Sequence, residues 1–269
     1  MCRGNPTWEV ISDAADDEAY AVLRQDPVWN SFAIADLAPP FRAWTKIALA
    51  REAASGRVAS CLILQQPGLT VVSPDGPEPG VAAILETIDL PERALAQARP
   101  EHLPLIERYY QPESTWREML RMAVTSARFQ APGPSDAPVE RLGIEDLSAV
   151  LDLYAHNPEN HFRTDLLRDG VFFGVRDGRR LVAIGGTHVV VPSHGIAVLG
   201  GIFTHPDARR RGLATAITAR LADDLFARGC STVVLSVTAS NDQAIRVYER
   251  LGFERSYRYL TGLAQRRAR

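Results

Sequence analysis

The sequence predicts an α+β chain in two parts: a mixed α/β first half, then a domain built on a central, mostly antiparallel sheet flanked by helices. Three observations predict it. The segment Ala131-Pro132-Gly133-Pro134-Ser135-Asp136-Ala137-Pro138 breaks the chain, because prolines this dense neither continue a helix nor pair in a central strand. Past that break, three apolar, β-branched runs follow one another across short turns, which implies an antiparallel meander. Stretches with apolar residues three and four apart lie before and after them, the spacing of amphipathic helices. The expected division is 1–131, a linker at 132–139, and a second domain at 140–269.

In the first half, Asp26-Pro27 precedes a helical pattern from Trp29 to Leu37. Arg57 to Leu64 and Leu69 to Val72 read as two strands around Gln66-Pro67-Gly68. Val81 to Ile88 and His102 to Tyr110 read as helices, and Trp116 to Ala123 as an element whose type the pattern does not decide. Beyond the linker, Ile144 to Ala155 is an amphipathic helix with Leu147, Val150, Leu151 and Tyr154 on one face. Val171 to Val175 and Leu181 to Val191 form a hairpin around Asp177-Gly178, and Pro192-Ser193-His194-Gly195 turns the chain into Ile196 to Thr204. Gly212 to Arg228 is a helix with the stripe Leu213, Ile217, Leu221 and Leu225, ended by Gly229, where a positive φ is cheap. A strand over Thr232 to Val237, a short helix over Ala244 to Leu251 stopped at Gly252, and a strand over Phe253 to Leu260 complete the pattern.

Composition narrows the function classes. The chain has 269 residues, 46% hydrophobic and 23% charged, a balance that buries a sizeable core and is far from disordered or fibrous. Lys plus Arg at 30 against Asp plus Glu at 32 gives a net charge of -2, which argues against a nucleic-acid or membrane partner. Cys2, Cys61 and Cys230 form neither a C-x-x-C pair nor a His-flanked cluster, so neither a disulfide framework nor a metal is expected. The opening residues lack the apolar core of a signal peptide, and no window approaches the roughly 18 apolar residues of a membrane helix; a cytoplasmic protein is expected.

Chemistry concentrates after the third strand of the meander, in Gly201-Ile202-Phe203-Thr204-His205-Pro206-Asp207-Ala208-Arg209-Arg210-Arg211-Gly212-Leu213-Ala214-Thr215. A strand ends, a proline turn and three cations follow, and small residues open a helix. Unpaired N–H groups at a helix start and the helix dipole both favour an anion, and small residues let a diphosphate approach the backbone. Neither G-x-x-x-x-G-K-[ST] nor G-x-G-x-x-G occurs here, so a P-loop or a dinucleotide fold is disfavoured.

The stretch Arg209-Arg210-Arg211-Gly212-Leu213-Ala214 resembles the [QR]-x-x-G-x-[GA] loop of the GNAT superfamily of N-acetyltransferases. At the spacing of one helix and one strand comes Asn241-Asp242-Gln243-Ala244-Ile245-Arg246-Val247-Tyr248-Glu249-Arg250-Leu251-Gly252-Phe253, which resembles the family's second block, N-x-x-A-x-x-x-Y-x-x-x-G-F. The resemblance covers about residues 140 to 262 and implies a GNAT-type acyltransferase fold. The mixed first half then resembles the degenerate GNAT-like domain of the glycine N-acyltransferase group.

What the resemblance implies is specific. Acetyl-CoA, or another short acyl-CoA, is the cosubstrate and lies where the third strand splays from its neighbour. Ile202, Phe203 and Thr204 pair with its pantetheine; Arg209, Arg210, Arg211, Gly212, Leu213, Ala214 and Thr215 receive the diphosphate; Asn241 touches the cosubstrate and also suits a helix cap. Tyr248 is the catalytic acid toward the departing thiolate, since a phenol with reference pKa about 10 is protonated at neutral pH; on its residues alone it is equally a core aromatic. Gly200-Gly201 fits a strand bulge or a close backbone approach.

The general base is open. Many relatives place a Glu five residues before the motif Asn, where this chain has Ser236. His188, His205 and the Glu159-Asn160-His161 loop are candidates, as is a water relay. The acceptor, a primary amine of a small molecule or amino acid, is expected beneath Asn157 to Arg168, where His161, Phe162 and Arg163 could meet a carboxylate. The first half could complete the acceptor pocket, form a homodimer contact, or hold a groove without the phosphate loop; one cosubstrate per chain is expected. The competing reading is a non-catalytic acyl-CoA-binding regulatory protein, which loss of the Glu permits.

Overall fold

The structure, a computed structural model, describes residues 7–39, 41–133, 137–157 and 162–268. It divides into two compact units, Met1–Leu120 with Tyr257–Arg269, and Arg121–Ser256. In chain order the elements are β1 (Trp8–Ile11), α1 (Asp16–Leu23), α2 (Ser31–Asp36), β2 (Thr45–Glu52), β3 (Val58–Gln66), β4 (Leu69–Asp75), α3 (Glu78–Thr87), β5 (Arg93–Ala98), α4 (Leu103–Tyr109), β6 (Tyr110–Pro112) and β7 (Arg117–Thr125). There follow β8 (Val139–Leu142), α5 (Leu147–Tyr154), α6 (Thr164–Asp169), β9 (Phe172–Asp177), β10 (Arg180–Val191), β11 (Ile196–Thr204), α7 (Leu213–Ala227), β12 (Thr232–Thr238), α8 (Asp242–Arg250) and β13 (Glu254–Arg266). Among the described residues no helix is long and apolar enough to cross a membrane.

The unit boundaries fall away from the proline-rich segment, for reasons that are local. Before the prolines, the Gln130 N–H donates to the Leu251 carbonyl, and the Arg128 carbonyl lies against Gly252. Those contacts tie residues 128–130 to the second unit. The last strand pairs with β5 from Leu260↔Ala98 to Gln265↔Arg93 and so counts with the first unit.

In the first unit the strands run β1-β2-β3-β4-β5-β13. All these pairs are antiparallel except β4 with β5, which pair in parallel at Val71↔Leu95 and Val72↔Ala96 across α3. Val72, Ile84, Leu85, Ala96 and Ile106 belong to one buried cluster. Past the parallel pairs the ends of β4 and β5 are tied by Arg99. Its guanidinium lies 4.5 Å from the ring centres of both Trp29 and Tyr257. It donates to Asp26 Oδ2 at 2.8 Å and sits 3.1 Å from Asp75 Oδ1. Asn30 Nδ2 donates to the other Asp75 oxygen at 3.1 Å, and Tyr257 Oη to Asp26 Oδ2 at 2.7 Å. A planar cation that stacks and forks at once suits such a knot better than lysine would.

In the second unit the order is β7-β12-β11-β10-β9-β8. The expected meander is present: β9, β10 and β11 pair antiparallel, and β11 pairs in parallel with β12 across α7. Helices cover both faces. An added Cβ at Gly185 would meet Ile217 and Leu221 of α7, whereas one at Gly186 would meet the Phe172 ring, which clusters with Val150, Leu153 and Tyr154 of α5. The α7 stripe is buried as its spacing predicts. On α5 the apolar face is turned: Leu151 is 47% exposed and Leu153 is buried, because the helix lays Val150, Leu153 and Tyr154 in one cluster with Phe172, Leu181 and Ile184 of the sheet. The Trp116 to Ala123 stretch is strand β7, and Phe253 to Leu260 is the start of a longer strand.

Asp36, at the end of α2, is 7% exposed, and burial alone raises its pKa to about 7. The folded state therefore holds a proton that the unfolded chain has lost above about pH 4, so stability should fall as pH rises from about 4 to 7. At about 1.4 kcal/mol per pH unit the loss reaches about 4 kcal/mol. Asp36→Asn should flatten this dependence and stabilise the protein at pH 8, as read by urea denaturation across the pH range.

Candidate active site

The pairing of β11 with β12 runs Ile196↔Thr232, Ala197↔Val233, Val198↔Val234 and Leu199↔Leu235, and stops there. Both strands continue, to Thr204 and Thr238, so a fork opens with Gly200 and Ser236 at its vertex. On its other edge β11 stays paired to β10, through Ile184↔Phe203 and Ala183↔Thr204. Among the described residues the second edge of Ile202, Phe203 and Thr204 therefore carries strand N–H and C=O groups with no strand paired to them, and an extended amide chain can pair there.

The fork is produced by a bulge. The register with β10 passes from Gly186↔Gly200 to Ile184↔Phe203, leaving β11 one residue longer. Gly201 takes φ +62°, and an added Cβ there would stand 2.5 Å from Tyr154 Oη. That hydroxyl donates to the Gly201 carbonyl at 2.6 Å. Tyr154 is a site residue that sequence reasoning missed, since its place on an amphipathic helix marks it only as apolar packing.

Beyond the fork the chain makes a 3₁₀ turn at Pro206–Ala208 and enters α7. Arg210 has φ +63°, the one non-glycine residue with positive φ among those described, and Gly212 has φ +76°. Left-handed residues this close turn successive N–H groups toward one side, the concavity that binds anions. Gly212 caps α7 with no side-chain hydrogen bond, so the donors at Leu213, Ala214 and Thr215 keep their capacity for a ligand. A Cβ at Gly212 would meet nothing within 4 Å. Arg209 Nε donates to the Thr204 carbonyl at 3.3 Å, and Arg211 pairs with Asp177 at 2.9 Å. The structure thus brings residues 202–204 and 209–215 into one continuous path.

Tyr248 is 7% exposed, packs 5.9 Å from the Phe253 ring, and has a pKa pushed up to about 12 by burial. Asn241 Oδ1 accepts from the Ala244 N–H at 3.1 Å, so it caps α8 and leaves its amide NH₂ for other contacts. Ser236 Oγ, at the vertex, is buried without a hydrogen-bond partner among the described residues, an arrangement that invites a polar ligand atom.

The base candidates separate. His205 is buried; Arg180 faces its Nε2 at 2.5 Å, the Asp207 N–H donates to its Nδ1 at 3.2 Å, and His156 stacks edge-on at 4.5 Å. Burial first, and then Arg180, lowers its pKa, and enclosed by Arg180, Asp207 and His156 it serves as a structural hub. His188, by contrast, is the extra residue of β10 where Thr187↔Leu199 gives way to Val189↔Val198. Its Nε2 would lie 1.8 Å from a Cβ placed on Gly200. It is exposed, and desolvation lowers its pKa. Glu159, Asn160 and His161 lie outside the described residues. Phe162 packs on Tyr154 at 5.1 Å, and Arg163 forks onto Asp165, with Nε donating at 3.1 Å, so the carboxylate of its own helix already meets its guanidinium.

With this geometry in hand, comparison is informative. Residues 142–253 match the family model described as Acetyltransferase (GNAT) family. That span is similar to the GNAT acetyltransferase domain. Solved structures agree on the fold. A GNAT-family protein of Novosphingobium aromaticivorans is 23% identical, with a TM-score of 0.58 over 90% of this chain and 97% of that one. A GCN5-related N-acetyltransferase from Sphaerobacter thermophilus is 16% identical, with a TM-score of 0.60 over 96% and 95%. A tandem GNAT protein from the clavulanic acid biosynthesis pathway is 14% identical, with a TM-score of 0.54 over 97% and 98%. The fold is the GNAT fold, and the first unit is GNAT-like as well.

The first unit's counterpart of the phosphate loop differs in chemistry. Between β4 and α3 it has only Gly76-Pro77, flanked by Asp75 and Glu78, carboxylates that repel a diphosphate. A cavity of about 410 Å³ there is lined by Asp26, Asn30, Asp75, Arg99 and Glu101 among others. In the second unit, the left-handed Arg210 stores strain of about 1 kcal/mol. Arg210→Gly should therefore raise the unfolding free energy by up to about 1 kcal/mol in chemical denaturation, while weakening inorganic pyrophosphate binding measured by calorimetry.

Proposed function

We propose that the protein is an acyl-CoA-dependent N-acyltransferase that moves an acyl group, in the first instance acetyl from acetyl-CoA, to a primary amine of a small molecule or amino acid. The observation that carries this reading is the fork between β11 and β12 leading into an uncapped, arginine-flanked helix start. The fork's free strand edge suits a pantetheine amide chain, and the α7 start suits its diphosphate. The buried Ser236 hydroxyl offers a further polar contact at the vertex. Backbone donors on β11 would polarise the thioester carbonyl, worth about 3 kcal/mol per well-placed donor in acyl transfer.

Tyr248 acts on the leaving group, but as a hydrogen-bond donor. A thiol has a reference pKa of about 8.5, whereas burial lifts the phenol to about 12, so full transfer to the thiolate is uphill. The phenol stabilises the thiolate and the final proton comes from elsewhere. The two GNAT-like units support a place near the glycine N-acyltransferase group; on this reading the protein acts on amines in the cytoplasm and uses no metal.

Ser236 in place of a carboxylate favours the second reading, a non-catalytic acyl-CoA-binding regulator. Calorimetric titration with acetyl-CoA, followed by thiol-release assays over an amine panel, separates the two: the enzyme releases thiol, and the regulator saturates without release. A protein that ignores millimolar acetyl-CoA is neither. Tyr248→Phe should lower kcat about 10- to 100-fold with acetyl-CoA Kd within twofold of wild type; unchanged kcat removes Tyr248 from this role. Because its phenol keeps its proton to about pH 12, the wild-type kcat profile should show no limb from Tyr248 below pH 10.

A further inference from the structure

Acyl transfer to an amine needs a proton acceptor at the fork, yet β11 and β12 together, Ile196–Thr204 and Thr232–Thr238, contain no Asp, Glu, His or Lys. A side chain that serves as acceptor therefore comes from another element. We infer that His188 of β10, reaching across Gly200 to the vertex of the fork, is the catalytic base; the inference rests on the acyltransferase reading.

Three observations place it. The first is the register shift that makes His188 the unmatched residue of β10, opposite the last paired step of the fork. The second is the glycine: at 1.8 Å from Nε2 and 2.0 Å from Cδ2, any side chain at position 200 would collide with the ring. Gly200 is thus an opening in β11 through which a neighbouring strand delivers a side chain to the position a residue of β11 would otherwise fill. The third is that the residue is exposed at its rim, so an incoming amine can reach it. Desolvation lowers its pKa, which favours the neutral form that accepts a proton.

The chemistry balances. The amine nitrogen's lone pair attacks the thioester carbonyl carbon, and His188 takes a proton from that nitrogen. The tetrahedral adduct collapses with cleavage of the C–S bond, giving amide and thiolate beside Tyr248. The imidazolium then returns its proton to the thiolate through solvent, giving free thiol. A base of this kind contributes about 10²- to 10⁴-fold.

The test uses the full-length protein with acetyl-CoA, the best amine of the panel and a thiol-release readout. His188→Ala and His188→Gln should each lower kcat at least 100-fold, with acetyl-CoA Kd within twofold of wild type. Imidazole added to His188→Ala should restore part of that rate, which a merely structural histidine would not allow; His188→Gln keeps volume and polarity should the alanine variant fold poorly. Either folded variant within threefold of wild-type kcat overturns the assignment, as does a slow alanine variant that imidazole leaves unmoved. Wild-type protein that releases no thiol with any amine overturns the acyltransferase reading itself.

Discussion

Gly201 sits in a left-handed conformation with its carbonyl clamped by Tyr154, and this single contact fixes where β11 stops being an ordinary strand. A parallel pair that stays in register keeps its inner edge satisfied and leaves no room for a third chain. The extra residue of the bulge turns the backbone, the ladder with β12 ends at Leu199 and Leu235, and the groups beyond it face outward. Unpaired strand edges near a core cost free energy until something occupies them. The site is thus a region where the fold withholds its own hydrogen bonds and leaves them for a ligand.

The two units apply opposite solutions to one topology. Each has a parallel pair joined by a helix crossover. In the first unit, Arg99 stacks between Trp29 and Tyr257 and ties Asp26 to Asp75, so the strand ends are joined by side chains and the helix start carries negative charge. In the second, the strand ends are parted and the helix start carries cations.

Much of this was legible beforehand, and the limits have physical causes. The meander, the α7 stripe and the glycine stops show because burial on one face imposes a period that single residues cannot disguise. Strands β2 and β5 escaped: β2 is buried on both faces over most of its length, and β5 is alanine-rich, so neither has a strong strand signature. The position of the phosphate loop was readable from its glycine and arginines, but the left-handed Arg210 was not, since nothing in an arginine announces positive φ. Tyr154, Arg180 and the reach of His188 over Gly200 arise from contacts across strands and helices, which one-dimensional spacing does not encode.

The C-terminal strand carries a consequence for biosynthesis. Residues 260–265 close the edge of β5, a strand made some 160 residues earlier. During translation the first unit waits with that edge bare, while the second unit, contiguous from 121 to 256, has all its parts before residues 260–265 emerge. Order of assembly therefore runs against order of synthesis: the later-made unit completes first, and the earlier-made one is sealed only once residues 260–265 have been made, an interval in which an open strand is most prone to pair with the wrong chain.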